Sequence, residues 1–504
     1  MNTLENISTA IANFAISQED SIAVSDQNIT LSYSELDKRV DQGHAELKNS
    51  GFEAGDIVLA VGENSISFCI FLLSAARMGI TLVLENARRA SPELANIIQH
   101  SQPAGQFFLH DHSPDGVSHS TYFSATLKNS SVFGEYGFIK ETGSTQKIDE
   151  KDIFAIIYTT GTTGEPKGVM LTHANLNYIA KMIHQLKEIQ TSDKVLAALP
   201  ISHVMGLASV LFGTLYSGAS IYFLPRFTPQ NCYELIQKYQ ISVLQGAPAM
   251  FSKLVDYIAK HQLQKPNSLK FLGSGGAPID QTLKDTVLSL LNCQLHNGYG
   301  LTEIPSVCWT RLDQIIKDDS VGKALPGVSI EFRSVEGKRC LINEVGELWA
   351  KGPNLMTGYF KNPELSKKVI DSDGWFNTQD LGYINEADNV YIVGRTKDLI
   401  IRSGFKVYPQ EVESVLLTHP SILHAAVLGH KINGNEEVIA FIEVDKTNSF
   451  SVEELLTYLR ERLSPYKIPK KIIQLPSLPL AANGKILKSK LISEIQNNLE
   501  LLNV

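Results

Sequence analysis

Apolar residues recur along the first part of the chain in two registers, a helical spacing near 3.6 and short continuous runs bounded by turn residues. Leu36, Val40 and Leu47 mark one face of a helix that follows Ser34 and stops at Ser50-Gly51. A strand is predicted at 57–61 (IVLAV), a helix from 66–73 (ISFCIFLL) to Met78-Gly79, a strand at 81–84, and a helix beginning near Ser91-Pro92. A second series repeats the order: a strand at 153–158 (IFAIIY), another at 195–199, a helix to Ser217-Gly218, and a strand at 220–224. Strands alternating with helices predict layered α/β structure with a parallel sheet. From Gly327 onward short strands and turns take over, 346–350 (GELWA) among them. The pattern restarts after Arg395 with a hairpin-like 399–407, a helix after Pro409, strands at 425–428 and 438–444, and a helix from Ser451. The expected organisation is a large N-terminal domain (1–394) of layered α/β subdomains with a β-rich subdomain, then a small α+β domain (395–504). A tail of about a hundred residues is long enough to hold a core of its own. Residues 111–150, rich in Ser, Gly and Asp, read as a surface excursion.

Composition narrows the function classes. A chain of 504 residues is too long for a single core. The balance of 45 basic and 53 acidic residues, net −8, argues against nucleic acid as a general partner. The five cysteines (Cys69, Cys232, Cys293, Cys308 and Cys340) are scattered and form no C-x-x-C, as reduced core thiols of a cytoplasmic protein would be. The N-terminus, MNTLENISTAIANF, lacks the regions of a secretory signal, and the longest apolar run, 66–73, is too short to span a membrane.

The densest candidate chemistry lies at 158–173 (YTTGTTGEPKGVMLTH), directly after a predicted strand. Glycines let backbone N–H groups approach phosphate oxygens, and the threonines add hydroxyl donors. The order is wrong for the usual phosphate loop, G-x-x-x-x-G-K-[ST], because Lys167 follows Gly164-Glu165-Pro166 and precedes Gly168. A kinase-like NTPase is therefore excluded. Four more motifs follow in order: 296–303 (HNGYGLTE), 374–384 (GWFNTQDLGYI), 393–413 (VGRTKDLIIRSGFKVYPQEVE) and 483–491 (NGKILKSKL).

Together these resemble the adenylate-forming superfamily of acyl- and aryl-CoA ligases, peptide-synthetase adenylation domains and beetle luciferases, over essentially the whole chain. The resemblance implies activation of a carboxylic acid with ATP and Mg²⁺ to acyl-AMP, with pyrophosphate released, followed by transfer to a thiol of CoA or of the phosphopantetheine arm of an acyl carrier protein. It places Thr159, Thr160, Gly161, Thr162, Thr163, Gly164 and Lys167 around the β- and γ-phosphates. Tyr299 would stack on adenine, Thr302 would contact the α-phosphate, and Glu303 would bind the metal. Gly275, Gly276, Ala277, Asn297, Gly298, Gly300 and Ile392 complete the nucleotide site. Asp380 would hold the ribose hydroxyls, with Arg395 near the ribose and phosphates. Lys485 would bridge the attacking carboxylate and the α-phosphate, brought in by a mobile C-terminal domain turning about Lys397. Gly404 would line the thiol passage. One departure is Gln379, where the family usually has glycine; another is Ile401, where some relatives carry lysine.

Substrate class follows from the acyl side. Adenylation domains for α-amino acids usually place an aspartate early in the segment after the phosphate loop, and 199–213 (LPISHVMGLASVLFG) has no acid. An ammonium buried there would lack a counter-ion. The resemblance puts His203 near the acyl carbonyl, the alternative being a satisfied core histidine. Met205, Leu207, Gln245, Gly246, Gly275, Gly276, Ala277 and Val307 are expected to line the acyl pocket and to suit an alkyl or aryl acid. A luciferase-type oxidase shares the first half-reaction and stays open at this point. A non-catalytic nucleotide-binding relative is disfavoured by the presence of Lys167, Glu303, Asp380, Arg395 and Lys485.

Overall fold

The run at 57–61 is apolar at every position, and that at 81–84 at every position but the buried Thr81, because both faces are covered. They form the parallel strands Ile57–Gly62 and Thr81–Asn86 at the centre of an eight-stranded sheet. The computed structural model of the chain describes residues 6–141, 148, 152–160, 166–279, 281–313, 318–403, 405–432, 435–445, 451–480, 486–488 and 490–492. Gly105–Leu109 and Ile153–Thr160 flank the central pair in parallel, and antiparallel strands close both sides of the sheet. A second sheet of nine strands has a parallel centre running Leu295–Tyr299, Phe271–Gly275, Val243–Gly246, Lys194–Ala197, Ser220–Phe223 and Ile22–Ser25.

The helix Ile66–Met78 shows how the two sheets are joined. Ser65 caps its start by accepting from the Phe68 N–H at 3.1 Å, and Gly79 ends it at φ 76°. It is buried along nearly its whole length, so it is apolar all round rather than on one stripe. Its side chains share one core cluster with Val58 and Leu82 of the first sheet and Val195 and Ile221 of the second. Asn64, just before this helix and 2% exposed, adds a polar tie. Its Nδ2 donates to the carbonyls of Ala197 and Leu199, both at 2.8 Å, and its Oδ1 accepts from the Ile201 N–H at 2.8 Å.

A four-stranded antiparallel sheet follows, ordered Ser329–Arg333, Gly346–Lys351, Phe376–Ile384 and Val390–Arg395. Beyond it lie the hairpin Ile400–Arg402 with Phe405–Val407, the helices Pro409–Leu417 and Val452–Arg460, and a three-stranded sheet of Ile422–Ile432, Asn435–Val444 and Lys471–Leu475. Their buried residues form clusters of their own, around Val412, Leu455 and Ile442 and around Phe441 and Leu478. The expected class, a large α/β region with a β-rich part and a smaller α+β region, is the one observed. Among the described residues no helix is long and apolar enough to cross a membrane.

Two local expectations are corrected. The described part of 111–150 does not loop out: Pro114–Tyr122 is a helix, and Thr126–Ser130 pairs with Gly134–Lys140 to form the edge of the eight-stranded sheet, while 142–147, 149 and 150 lie outside the described residues. The outer strand is exposed, which explains its polar sequence. The segment leading to Ser217 is mostly a π-helix, Met205–Phe212, continued by one α-turn at Gly213–Tyr216. π-Segments of this kind are rare and concentrate at functional sites.

Burial pushes the His173 pKa down to about 4, and its Nδ1 accepts from the Ile7 N–H at 3.3 Å, so the ring is neutral when folded. A pKa depressed below the unfolded value of 6.5 gives stability that is complete above pH 6.5 and lost as pH falls towards 4. Glu85, pushed up to about 7 by burial, acts with the opposite sign. Urea unfolding between pH 6.5 and 4 is expected to show a steeper loss of stability on acidification for the wild type than for His173→Gln, by up to ~1.4 kcal/mol per pH unit. The comparison cancels Glu85, and equal slopes would contradict the assignment.

Candidate active site

The site assembles where the C-terminal ends of both parallel sheets meet the antiparallel sheet. Asp380 is its most constrained member, 4% exposed. The strand Phe376–Ile384 slips register opposite Glu347 and Trp349, and the bulge sets Gln379 at φ 59°. Gln379 therefore adopts the left-handed conformation that glycine takes cheaply. Three bonds hold it there: Gln379 N–H to Asn377 Oδ1 (2.8 Å), Thr378 Oγ1 to the Leu348 carbonyl (2.7 Å), and Asp380 N–H to Thr378 Oγ1 (3.1 Å). Asp380 Oδ2 accepts from the Tyr299 hydroxyl at 2.6 Å, and Oδ1 pairs with Arg395 Nε at 2.9 Å. Burial, and then the Asp380 charge, raises the Tyr299 pKa far above its usual range, so the phenol remains a donor.

Tyr299 ends the strand Leu295–Tyr299, and the chain folds back through a turn closed by the Val307 N–H to Tyr299 carbonyl bond at 2.7 Å. Close approach requires the glycines. A Cβ at Gly298 would fall 1.9 Å from the Trp309 ring, and one at Gly300 would fall 2.4 Å from the Ser306 nitrogen. The turn carries Thr302 and Glu303, both half-buried and outside any helix. The Tyr359 hydroxyl donates to Glu303 Oε1 at 2.9 Å. The strands leading into and out of the phosphate-loop candidate pair Thr159 with Lys167 and Thr160 with Pro166. The Lys167 ammonium lies 5.7 Å from the centre of the Tyr359 ring. Lys397, in the turn Thr396–Asp398, has its pKa lowered by burial, with the charges of Arg395 and Lys167 adding to the effect. Lys167, Arg395 and Lys397 thus gather cationic charge around the buried Asp380, a field suited to a polyphosphate.

On the acyl side, Met205 opens the π-helix and reaches towards the strand end at Gly275, where its Cε would lie 3.8 Å from an added Cβ. Gly276, at φ 81°, and half-buried Ala277 follow that strand. Leu207, Gln245 and Val307 are fully buried, and Asn297 and Gly246 lie in the neighbouring strands. Ile392 is half-buried in the last strand of the antiparallel sheet. His203 is exposed, which removes the core-histidine alternative; its Nδ1 accepts from the Met205 N–H at 3.4 Å. Gly161, Thr162, Thr163, Gly164, Gly404 and Lys485 lie outside the described residues, as does the Thr160 side chain.

Sequence reasoning missed Lys187. This residue ends the helix His173–Lys187 and is 1% exposed, with its ammonium donating to Gln245 Oε1. A lysine in a last helical turn reads as a solvated charge complementing the helix dipole, so nothing in the sequence marks it. The cluster Asp26, Asp111 and His112 and the 550 Å³ cavity lined by His112 and Arg226 share no residue with this constellation.

The family described as "AMP-binding enzyme" matches residues 12–360, and "AMP-binding enzyme C-terminal domain" matches 411–485. The chain is 29% identical over 492 residues to 4-coumarate-CoA ligase 1 of Narcissus pseudonarcissus, covering 92% of this chain and 88% of the relative. It superposes on ATP-bound MatB from Rhodopseudomonas palustris with TM-score 0.86 and 29% identity, over 97% of this chain and 99% of that one. With MenE of Bacillus subtilis, an O-succinylbenzoate coenzyme A synthetase in complex with ATP and magnesium ion, the TM-score is 0.81 and the identity 25%, over 96% and 99% of the two chains.

The bulge supplies a direct test. Gln379→Gly is expected to stabilise the protein by about 0.5–1 kcal/mol, because glycine carries no left-handed penalty. Denaturant unfolding measures this, and a destabilised variant would show that the Gln379 side chain contributes more than its backbone strain costs.

Proposed function

This chain belongs to the AMP-binding enzyme family, and from that premise we propose how its residues divide the work of an AMP-forming acyl-CoA ligase. A carboxylic acid is activated with ATP, and the acyl group then passes to the thiol of CoA. The observation that carries the assignment of residues is the convergence of Tyr299 and Arg395 on the buried Asp380 carboxylate, together with the meeting of Glu303 and Lys167 at Tyr359.

In the first step a carboxylate oxygen bonds to the α-phosphorus and the bond to pyrophosphate breaks. Both reactants are anions, so the site must offset their repulsion while fixing them in line. We assign that task to Lys485, with Thr302 at the α-phosphate and Lys167, Thr159, Thr160, Gly161, Thr162, Thr163 and Gly164 around the leaving group. Glu303 is an oxygen ligand held in orientation by Tyr359, and a carboxylate of that kind, completed by phosphate oxygens and water, suits Mg²⁺. The metal, when bound, neutralises phosphate charge. Asp380 exchanges its protein partners for ribose hydroxyls, and Tyr299, with Asn297, Gly298, Gly300, Gly275, Gly276, Ala277 and Ile392 about it, forms the adenosine wall. Exposed His203 sits at the acyl carbonyl.

In the second step the thiol sulfur bonds to the acyl carbon and AMP leaves. CoA is the proposed acceptor, in preference to a carrier-protein arm, because the 4-coumarate ligase and MenE both name CoA. We place the domain division after residue 394, with Lys397 as hinge and Gly404 in the thiol passage. The separate core clusters beyond Ile400 support a unit that moves as one body. The proposed substrates are alkyl or aryl acids rather than α-amino acids. The free cysteines, all buried except half-buried Cys340, suit a reducing cytoplasmic setting.

Pyrophosphate release measured across fatty, aromatic and amino acids, with and without CoA, tests the reading. Acids are expected to give pyrophosphate and, with CoA, AMP and a thioester; release of ADP or phosphate instead would overturn it. Lys485→Ala is expected to abolish acyl-AMP formation while sparing thioester formation from supplied acyl-AMP. Equal loss of both half-reactions in a folded variant would remove the assignment of Lys485.

A further inference from the structure

Lysine is almost never fully buried without a counter-ion, because the desolvated ammonium has lost its water. Lys187 is buried to that degree, and burial is the one cause that lowers its pKa. Its ammonium meets Gln245 Oε1 and two aromatic faces, with centroids at 4.3 Å for Trp309 and 5.3 Å for Phe271. Gln245 is itself fully buried and gives one of its two Nε2 hydrogens to the Ser209 carbonyl at 3.3 Å, leaving the other as a donor. The Trp309 indole Nε1 is buried with no hydrogen-bond partner among the described residues. His296, stacked on Phe271, is held neutral, its pKa pushed down to about 4 by burial and by the charges of Lys187 and Lys284.

This cluster lies along the path of the proposed acyl group. Gln245 pairs in register with Gly273 and Gly273 with His296, on strands whose ends carry Gly246, Gly275 and Gly298. The Trp309 ring lies against both Gly298 and Gly273, where added Cβ atoms would meet it at 1.9 and 3.2 Å. The π-helix runs alongside, with Met205 near Gly275 and Ser209 at Gln245. An acyl chain entering past Met205 and Gly275 therefore travels towards a floor of Ser209, Gln245, Trp309 and Lys187.

We propose that Lys187, with Gln245 and the Trp309 indole N–H, recognises a second carboxylate at the far end of the acid, making the substrate class α,ω-dicarboxylic acids or carboxylate-bearing aryl acids. The ligand supplies the counter-ion that Lys187 lacks among the described residues and an acceptor for the indole N–H. A hydrocarbon terminus leaves the ammonium without a counter-ion and the indole N–H without an acceptor, the situation in which a polar site discriminates most strongly. The inference rests on the acid-activation reading above.

Matched pairs separate the two: adipate against hexanoate, suberate against octanoate, and terephthalate against benzoate, each followed by pyrophosphate release with the full chain, ATP, Mg²⁺ and CoA. In at least one pair the diacid is expected to win by about tenfold or more in kcat/KM, with Lys187→Met cutting that ratio at least about tenfold. The same diacid is expected to raise the wild-type Tm more than its partner does, and to lose that advantage in the variant. Gln245→Leu provides a second variant, expected to shift the ratio in the same direction, should Lys187→Met not fold. Monoacids winning every pair, or a ratio in Lys187→Met within about twofold of wild type, overturns the inference and leaves acid activation standing. Pyrophosphate release from none of the acids overturns acid activation and the inference with it.

Discussion

One buried carboxylate organises the site. Asp380 receives Tyr299 from the nine-stranded sheet and Arg395 from the neighbouring strand of its own antiparallel sheet. A carboxylate removed from water must be matched by donors, and here the donors come from two different parts of the fold. Any displacement of one part relative to the other is felt at this atom pair. The antiparallel sheet holds Asp380 in place through a bulge whose bonds all lie within that sheet, so its aim does not depend on Tyr299.

The second constraint is backbone proximity. Parallel strands present binding residues at their carboxyl ends, and both sheets are oriented so that these ends converge. In the nine-stranded sheet those ends are stripped of side chains at Gly246, Gly275 and Gly298, and larger neighbours lie against the vacated volume: Phe251 and Met250 at Gly246, Met205 at Gly275, and Trp309 of the adjoining strand at Gly298. Asn64 fixes the approach to this region from the other sheet, because its amide holds three backbone groups between Ala197 and Ile201.

Much of this was legible in the chain. Doubly buried strands such as 57–61 announce themselves by unbroken apolarity, and the nucleotide-side residues stand in contiguous motifs whose order is informative. What stayed hidden has physical reasons. The edge strand Thr126–Ser130 is solvated and polar, so it looks like a loop. The π-helix is apolar throughout and carries no period from which its width could be read. Lys187 belongs to a residue type whose charge normally faces water, and only three-dimensional burial reverses that expectation. The positive φ of Gln379 is likewise set by the bulge opposite Leu348 and not by the residue itself.

The π-segment Met205–Phe212 has a consequence for how such a pocket diverges. Bonding from i to i+5 holds one more residue per ring than an α-helix does. Deleting a single residue within it would restore α-helical bonding and rotate everything on one side by about 100°. Met205 and His203 would swing to a different azimuth while Ser209 kept its place against Gln245. Segment length, independent of side-chain identity, is then a dial on pocket shape. A change of one residue in the length of this segment would redirect Met205 and His203 with every side chain unaltered.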